Sequence, residues 1–212
     1  MEQIYEKKTT GSLKILFIDR PKNPKMINFY LNVGIGSDME KNENLEIGHF
    51  LEHLFVSLTS NKFSSSVVNR SYFMLNSINY NASIGYKNTM YEYSFKKEKL
   101  DKFLDFFING LLDYKVDENI FESEKNSIIQ ELNEIIDDTN YELETLMDSK
   151  LYQDHNRSVS QEKRKQNSLK MTSKRVQDYY MKYYNVKSCV LTIYGRVNKN
   201  DIMKKINALE KT

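Results

Sequence analysis

His49, Glu52 and His53 fall within five residues of one another in the segment Gly48-His49-Phe50-Leu51-Glu52-His53. If that segment is helical, the two histidines stand at i and i+4, so both imidazoles leave one face about one turn apart. Such a separation suits two ligands on a single zinc ion, with Glu52 beside them to handle a proton. The order His-x-x-Glu-His inverts the more common zinc-binding helix signature. The segment uses two of the chain's three histidines. Taken singly, either histidine would read as a satisfied side chain on a half-buried helix; the three residues together point to metal-assisted chemistry.

Two histidines do not complete a catalytic zinc site, which takes a third protein ligand and keeps one position open. Carboxylates are abundant, so spacing has to select among them. Glu124 and Glu131 stand seven residues apart in a long periodic segment, hence on one helical face two turns apart. Ile128 and Leu132 follow Glu124 at i+4 and i+8, so that face is at least partly turned to the core. An unpaired carboxylate there is costly, and a cation is one natural partner. Glu122 and Glu134 are less favourably phased and read as solvated charges. On geometry alone Glu124 and Glu131 both stay open as ligands, beside plain surface roles.

Periodicity supplies the elements that must position these groups. Ile47, Phe50, Leu51, Leu54 and Phe55 recur at helical spacing and predict a helix over about 45–58, with only a weak capping signal from Asn42 or Asn44. Leu13 to Ile18 and Ile27 to Val33 read as neighbouring strands joined by a hairpin or loop through Asp19-Arg20-Pro21-Lys22-Asn23-Pro24. Residues 67–78 allow a helix, and Tyr80–Tyr86 with Met90–Phe95 read as a strand pair around Lys87-Asn88-Thr89. Helical patterns follow over Leu100–Leu112, Asp117–Asp138, about 140–152 and about 172–184, with a polar tract at 153–169. Ser188 to Tyr194 reads as a strand, Gly195 as a turn, and a last helix starts near Asn200. The expected fold class is α+β. It is an antiparallel-rich sheet of about five or six strands with a layer of helices on one face, in a single domain over 1–212.

Composition narrows the classes. At 212 residues, 40% apolar and 28% charged, the chain is long enough to bury a real core. A net charge of +2 with both signs interspersed gives no footprint for nucleic acid, and Lys163-Arg164-Lys165 reads as solvated surface. Cys189 is the only cysteine, which excludes an intrachain disulfide and a cysteine zinc site; a small buried strand residue is its expected role. No segment approaches transmembrane length, and the N-terminus lacks an apolar signal region, so a cytoplasmic chain is expected. His155 reads as an exposed histidine, and Ser64-Ser65-Ser66 as a loop without the glycine elbow or histidine of a nucleophile site.

The His-x-x-Glu-His helix, the strand pair and Phe121-Glu122-Ser123-Glu124-Lys125-Asn126-Ser127-Ile128-Ile129-Gln130-Glu131 together resemble the pitrilysin/insulinase family of zinc peptidases. The likeness is to a single repeat of the N-terminal type, such as the first domain of a mitochondrial processing peptidase, over about residues 10 to 210. In that family a distal helix carries Glu-Arg-x-x-Ile-x-x-Glu, whose last glutamate is the third zinc ligand. The resemblance therefore implies Glu131 as that ligand and Glu124 as the upstream glutamate that supports the site. Asn81-Ala82-Ser83 resembles the edge strand that pairs with extended substrate, and Val190 to Val197 the strand closing the family's first repeat.

What the resemblance implies is a zinc-dependent endopeptidase acting on small or unfolded peptides. One Zn2+ per chain would be held by His49, His53 and Glu131, with Glu52 activating water for attack on the peptide bond. Family members usually join at least two such repeats, and the later one supplies an arginine and a tyrosine that hold the substrate carbonyl. This chain carries one repeat, so a second chain bearing the complementary repeat is expected, a hetero-dimer rather than a homo-dimer. The stretch 155–169 departs from the family's glycine-containing loop. A non-catalytic peptide-binding or assembly subunit of the same fold is the alternative.

Overall fold

The computed structural model describes residues 4–19, 25–63, 66–153 and 155–210. The turn residues Arg20 to Pro24 and the serines Ser64 and Ser65 lie outside the described residues, as do residues 1–3. In chain order the elements are β1 Ile4–Lys8, β2 Lys14–Ile18, β3 Met26–Val33, α1 Ile47–Phe55, α2 Ser66–Leu75, β4 Asn79–Ile84 and β5 Thr89–Lys96. There follow α3 Leu100–Leu112, α4 Glu118–Ile136, α5 Thr139–Leu151, α6 Gln161–Leu169, α7 Ser173–Tyr183, β6 Cys189–Tyr194 and α8 Lys199–Leu209.

The six strands form one sheet in the order β1-β2-β6-β3-β5-β4, antiparallel except for the β2–β6 pair. Alternation fixes which side chains face the helices. Ile15, Leu191, Leu31, Tyr91 and Ala82 stand in one row across five strands, and Phe17, Ile193, Phe29, Tyr93 and Tyr80 in the next. Every member of these rows on β2, β6, β3 and β5 is buried, whereas their neighbours in sequence are only partly so. Side chains of one phase thus meet the helical layer, as the period of two requires. Phe29 packs against Phe103 and Phe107 of α3 at ring separations of 5.3 and 5.7 Å, and Phe55 of α1 against Tyr91 at 4.7 Å. Each fully buried aromatic contributes about 1.5–3 kcal/mol by leaving water.

Four features differ from the expectations. β2 and β3 are not hydrogen-bonded neighbours, because β6 lies between them. Alternation assigns a strand's face but not its neighbour, and their connection has only to cross two strand spacings, about 10 Å. The polar tract at 153–169 contains α6, which buries only Ser168 and so offers no apolar period; the Ser160 side chain caps it by accepting from Lys163 N. β1 also lacks a pattern, since all five of its residues are exposed and the backbone ladder to β2 alone defines it. His155 is half-buried rather than exposed, and its Nδ1 accepts from Arg157 N. Cys189 is buried, and no helix among the described residues is long and apolar enough to cross a membrane.

Candidate metal and catalytic site

α1 buries Ile47, Gly48, Phe50, Leu51, Leu54 and Phe55, which leaves His49, Glu52 and His53 on its remaining, half-buried face. That face looks toward α4, and Phe50 stacks on Phe121 of α4 at 5.6 Å between ring centres. α4 is capped by Asp117, whose carboxylate accepts from Asn119 N and Ile120 N. It buries Phe121, Glu124, Ile128 and Leu132 along one stripe. Glu131, one turn beyond Ile128, keeps its side chain 45% exposed and reaches the histidines from the rim.

The geometry brings five of the singled-out residues together, His49, Glu52, His53, Glu124 and Glu131. His49 Nε2 lies 3.2 Å and His53 Nε2 3.5 Å from the same Glu131 oxygen, Oε2. His53 Nε2 is 3.6 Å from Glu52 Oε2. The other ring nitrogens are taken by different carboxylates: His49 Nδ1 sits 3.0 Å from Glu46 Oε2, and His53 Nδ1 3.1 Å from Glu124 Oε2. An ionised carboxylate only accepts, so each Nδ1 presents a proton to its carboxylate, and a neutral imidazole of that tautomer turns its Nε2 lone pair toward Glu131. With both imidazoles neutral, three acceptors face one point, an arrangement that a cation there would satisfy. The two rings are 4.8 Å apart, so two doubly protonated imidazoles would repel at close range.

The donor set fits zinc. Ligand atoms of His49, His53 and Glu131 lie within 4.8 Å of one another. With ligand bonds of about 2.0–2.1 Å, the edge of a tetrahedron is about 3.3–3.4 Å, and the two separations to Glu131 bracket that value. Imidazole Nε2 with a carboxylate oxygen, each imidazole backed by an outer carboxylate, is also the chemistry zinc favours.

Glu40 and Glu46 were not singled out by spacing. Glu40 is buried, and its carboxylate accepts from Glu46 N at 2.9 Å and Gly48 N at 2.8 Å, capping α1 from the preceding loop. Asn44 does not cap α1, and the Asn42 side chain lies outside the described residues; the N-cap position is Glu46 itself, in the left-handed conformation (φ 74°, ψ 0°) with no side-chain cap. Gly48 permits the approach, since a Cβ there would meet Ile84 Cδ1 at 2.3 Å and Glu40 Oε1 at 2.7 Å. The only signal for Glu40 was an acidic residue ahead of a helix start, too common to select, whereas Glu46 stands three residues before His49.

Electrostatics follow from burial and charge. Burial pushes the Glu52 carboxyl above its ordinary range, against the pull of His53 and His49, and the Glu131 and Glu124 charges add to the rise. Burial also opposes the Glu46 charge, but hydrogen bonding to His49 and the nearby Arg164 outweigh it and hold that carboxyl low. For His49, burial disfavours the proton while Glu46, Glu52 and Glu131 favour it, and the net direction is upward. A carboxyl raised by its surroundings is suited to exchanging protons near neutrality.

Asn81, Ala82 and Ser83 lie on β4, the last strand of the sheet, which pairs only with β5. A cleft of roughly 380 Å3 runs between this edge and the site, and Glu46, His49, Glu52, Ser83, Ile84 and Arg164 are among its walls.

A family model described as Insulinase (Peptidase family M16) matches residues 16–165. No curated protein sequence matches the chain. Among solved structures, a protease from Helicobacter pylori superposes with a TM-score of 0.83 at 17% identity, over 98% of this chain and 49% of its own. The periplasmic protease PqqL from Escherichia coli gives 0.81 at 16%, over 99% of this chain and 24% of its own. The ferredoxin protease FusC, solved with Arabidopsis ferredoxin, gives 0.85 at 17%, over 98% and 24%. This chain therefore spans between a quarter and a half of the length of these structures.

Proposed function

The chain belongs to the insulinase family of peptidases, family M16, and from that premise we propose that it is the metal-carrying part of a zinc-dependent endopeptidase. The observation that carries this reading is the convergence of His49 Nε2, His53 Nε2 and Glu131 Oε2, with both Nδ1 atoms already engaged by carboxylates. His49, His53 and Glu131 would hold one Zn2+. When bound, zinc supplies Lewis acidity, acidifying a water at the open position and polarising the scissile carbonyl. Glu52 takes the proton of the attacking water and returns it to the leaving amine, a task that suits a carboxyl raised by burial. Glu124 fixes the His53 ring through Nδ1 and so orients a ligand without touching substrate.

In this reading the substrate is a small or unfolded peptide that adds a strand along Asn81, Ala82 and Ser83 of β4. Main-chain hydrogen bonds set affinity there, and the cleft beside the edge takes side chains. The cleft is open on one side, and a partner chain carrying the complementary repeat in a hetero-dimer, covering it, is part of the proposal. Such a partner would exclude water and add donors for the developing oxyanion. A cytoplasmic site of action is part of the proposal, and fractionation tests it against the periplasmic placement of PqqL.

The test is cleavage of a peptide library by the chain with and without candidate partner chains, for the parent and Glu52→Gln. Zinc-dependent cleavage abolished by Glu52→Gln supports the catalytic reading. Bound zinc with no cleavage in any complex, and no effect of Glu52→Gln, would instead leave a peptide-binding or assembly subunit.

A further inference from the structure

The left-handed backbone at Glu46 is the least expected feature of the site. A residue with a side chain costs about 1–2 kcal/mol in that conformation, and glycine occupies it without penalty. The chain nonetheless places a long carboxylate there, held from four directions. Glu46 N donates to Glu40 Oε2 and Glu46 O accepts from Phe50 N, which fixes the backbone at the start of α1. Glu46 Oε2 faces His49 Nδ1 at 3.0 Å, and Glu46 Oε1 accepts from Arg164 Nη1 at 2.7 Å. Both side chains of the ion pair are nearly enclosed, 10% exposed for Glu46 and 13% for Arg164. A backbone this unfavourable persists where its surroundings over-determine it, and such places collect at functional sites.

Arg164 is itself anchored. Its Nη2 donates to Asn156 O at 2.6 Å, and the Asn156 amide donates to Ser37 O and Glu40 O. The loop before α1, which carries Asp38, Glu40 and Glu46, is therefore tied to the segment 156–164 through Asn156, the Arg157–Asp38 ion pair and Arg164. α6 has almost no apolar face and lies against α4, and the Arg164–Glu46 ion pair adds a fixed polar contact from it to the start of α1.

We propose that Arg164 and Glu46 are positioning residues for His49. Arg164 orients the Glu46 carboxylate, which fixes the His49 tautomer and ring and strengthens Nε2 as a ligand. This rests on the zinc reading of the site and adds a partner for His49 that parallels Glu124 for His53. Neither residue is a metal ligand in this reading; both act on the metal through the imidazole. The geometry also predicts coupling: Arg164 affects the metal only while Glu46 is present to transmit it.

Zinc affinity measured by competition with a chromophoric chelator, on the full chain at fixed pH, tests this without reference to cleavage. Glu46→Gly is the decisive variant, because glycine accepts the backbone and only the carboxylate is lost. Glu46→Gly and Glu46→Gln should each weaken zinc binding by about ten- to a hundredfold, with folding retained by circular dichroism. The absorption bands of the cobalt-loaded chain should shift with them. Arg164→Met should weaken binding in the parent and add nothing in the Glu46→Gln background. Unchanged zinc affinity in Glu46→Gly, or an equal effect of Arg164→Met in both backgrounds, would overturn the relay while leaving the zinc site intact. Failure of the parent itself to bind zinc would overturn both.

Discussion

Replacing Glu40 by glutamine should change how stability depends on pH more than it changes stability itself. Glu40 is buried beneath the start of α1, and its carboxylate accepts from Glu46 N and Gly48 N. Burial, first, and then the neighbouring Glu46 charge raise its pKa from 4.5 to about 7, against the two backbone hydrogen bonds and Arg164. Between those values the folded chain keeps a proton that the unfolded chain has released, so stability falls as pH rises across the window and levels off above it. At about 1.4 kcal/mol per pKa unit, the drop is of order 3 kcal/mol. Near the acid end, the neutral acid and the amide are near-isosteres. There Glu40→Gln costs about 1–3 kcal/mol for one mispaired N–H. At about pH 8 the ionised parent has lost a similar amount, and the two stabilities draw level. Urea unfolding of both proteins at a series of pH values reads the gap directly, and the difference cancels other titrating groups. A gap that stays constant from the acid end to about pH 8 would refute the reasoning.

Gly48→Ala puts a Cβ within 2.3 Å of Ile84 Cδ1 and 2.7 Å of Glu40 Oε1, so the Ile84 side chain and the buried Glu40 carboxylate that caps α1 have to give way. A loss of about 1–3 kcal/mol in urea unfolding is expected, and wild-type stability would contradict the close packing. Glu131→Gln alters a side chain that is 45% exposed. Its stability should stay within about 0.5 kcal/mol, while zinc affinity falls by more than the roughly ten- to hundredfold typical of changes to carboxylates behind the ligands. Unchanged affinity would remove Glu131 from the ligand set.

How much of this was readable in advance depended on whether a residue carried a period. α1 and α4 were legible because Phe50, Leu51, Leu54, Ile128 and Leu132 repeat at helical spacing, and the buried rows of the sheet because Phe29, Leu31, Tyr91 and Tyr93 alternate. The order of the strands was not, since nothing in Leu13–Ile18 or Ile27–Val33 states that β6 will come between them. α6 and β1 bury almost nothing and left no pattern. At the site, His49, Glu52 and His53 announce themselves by spacing within one helix. Glu131 needed the family pattern to choose it over Glu124, and Glu124 meets His53 through Nδ1 instead. Glu46 stands three residues before His49, a helical spacing that could have been read, whereas Glu40 reaches α1 from an irregular loop and Arg164 from a second helix, so neither carries a spacing. No local spacing encodes a left-handed glutamate that meets an arginine from α6.

The central claim is that His49, His53 and Glu131 hold one zinc ion, and metal content after exhaustive dialysis against a weak chelator tests it most directly. The parent should retain one zinc per chain, and His53→Ala, folded by circular dichroism, should retain none. A parent that retains no zinc, or a His53→Ala chain that keeps its metal, would contradict the account.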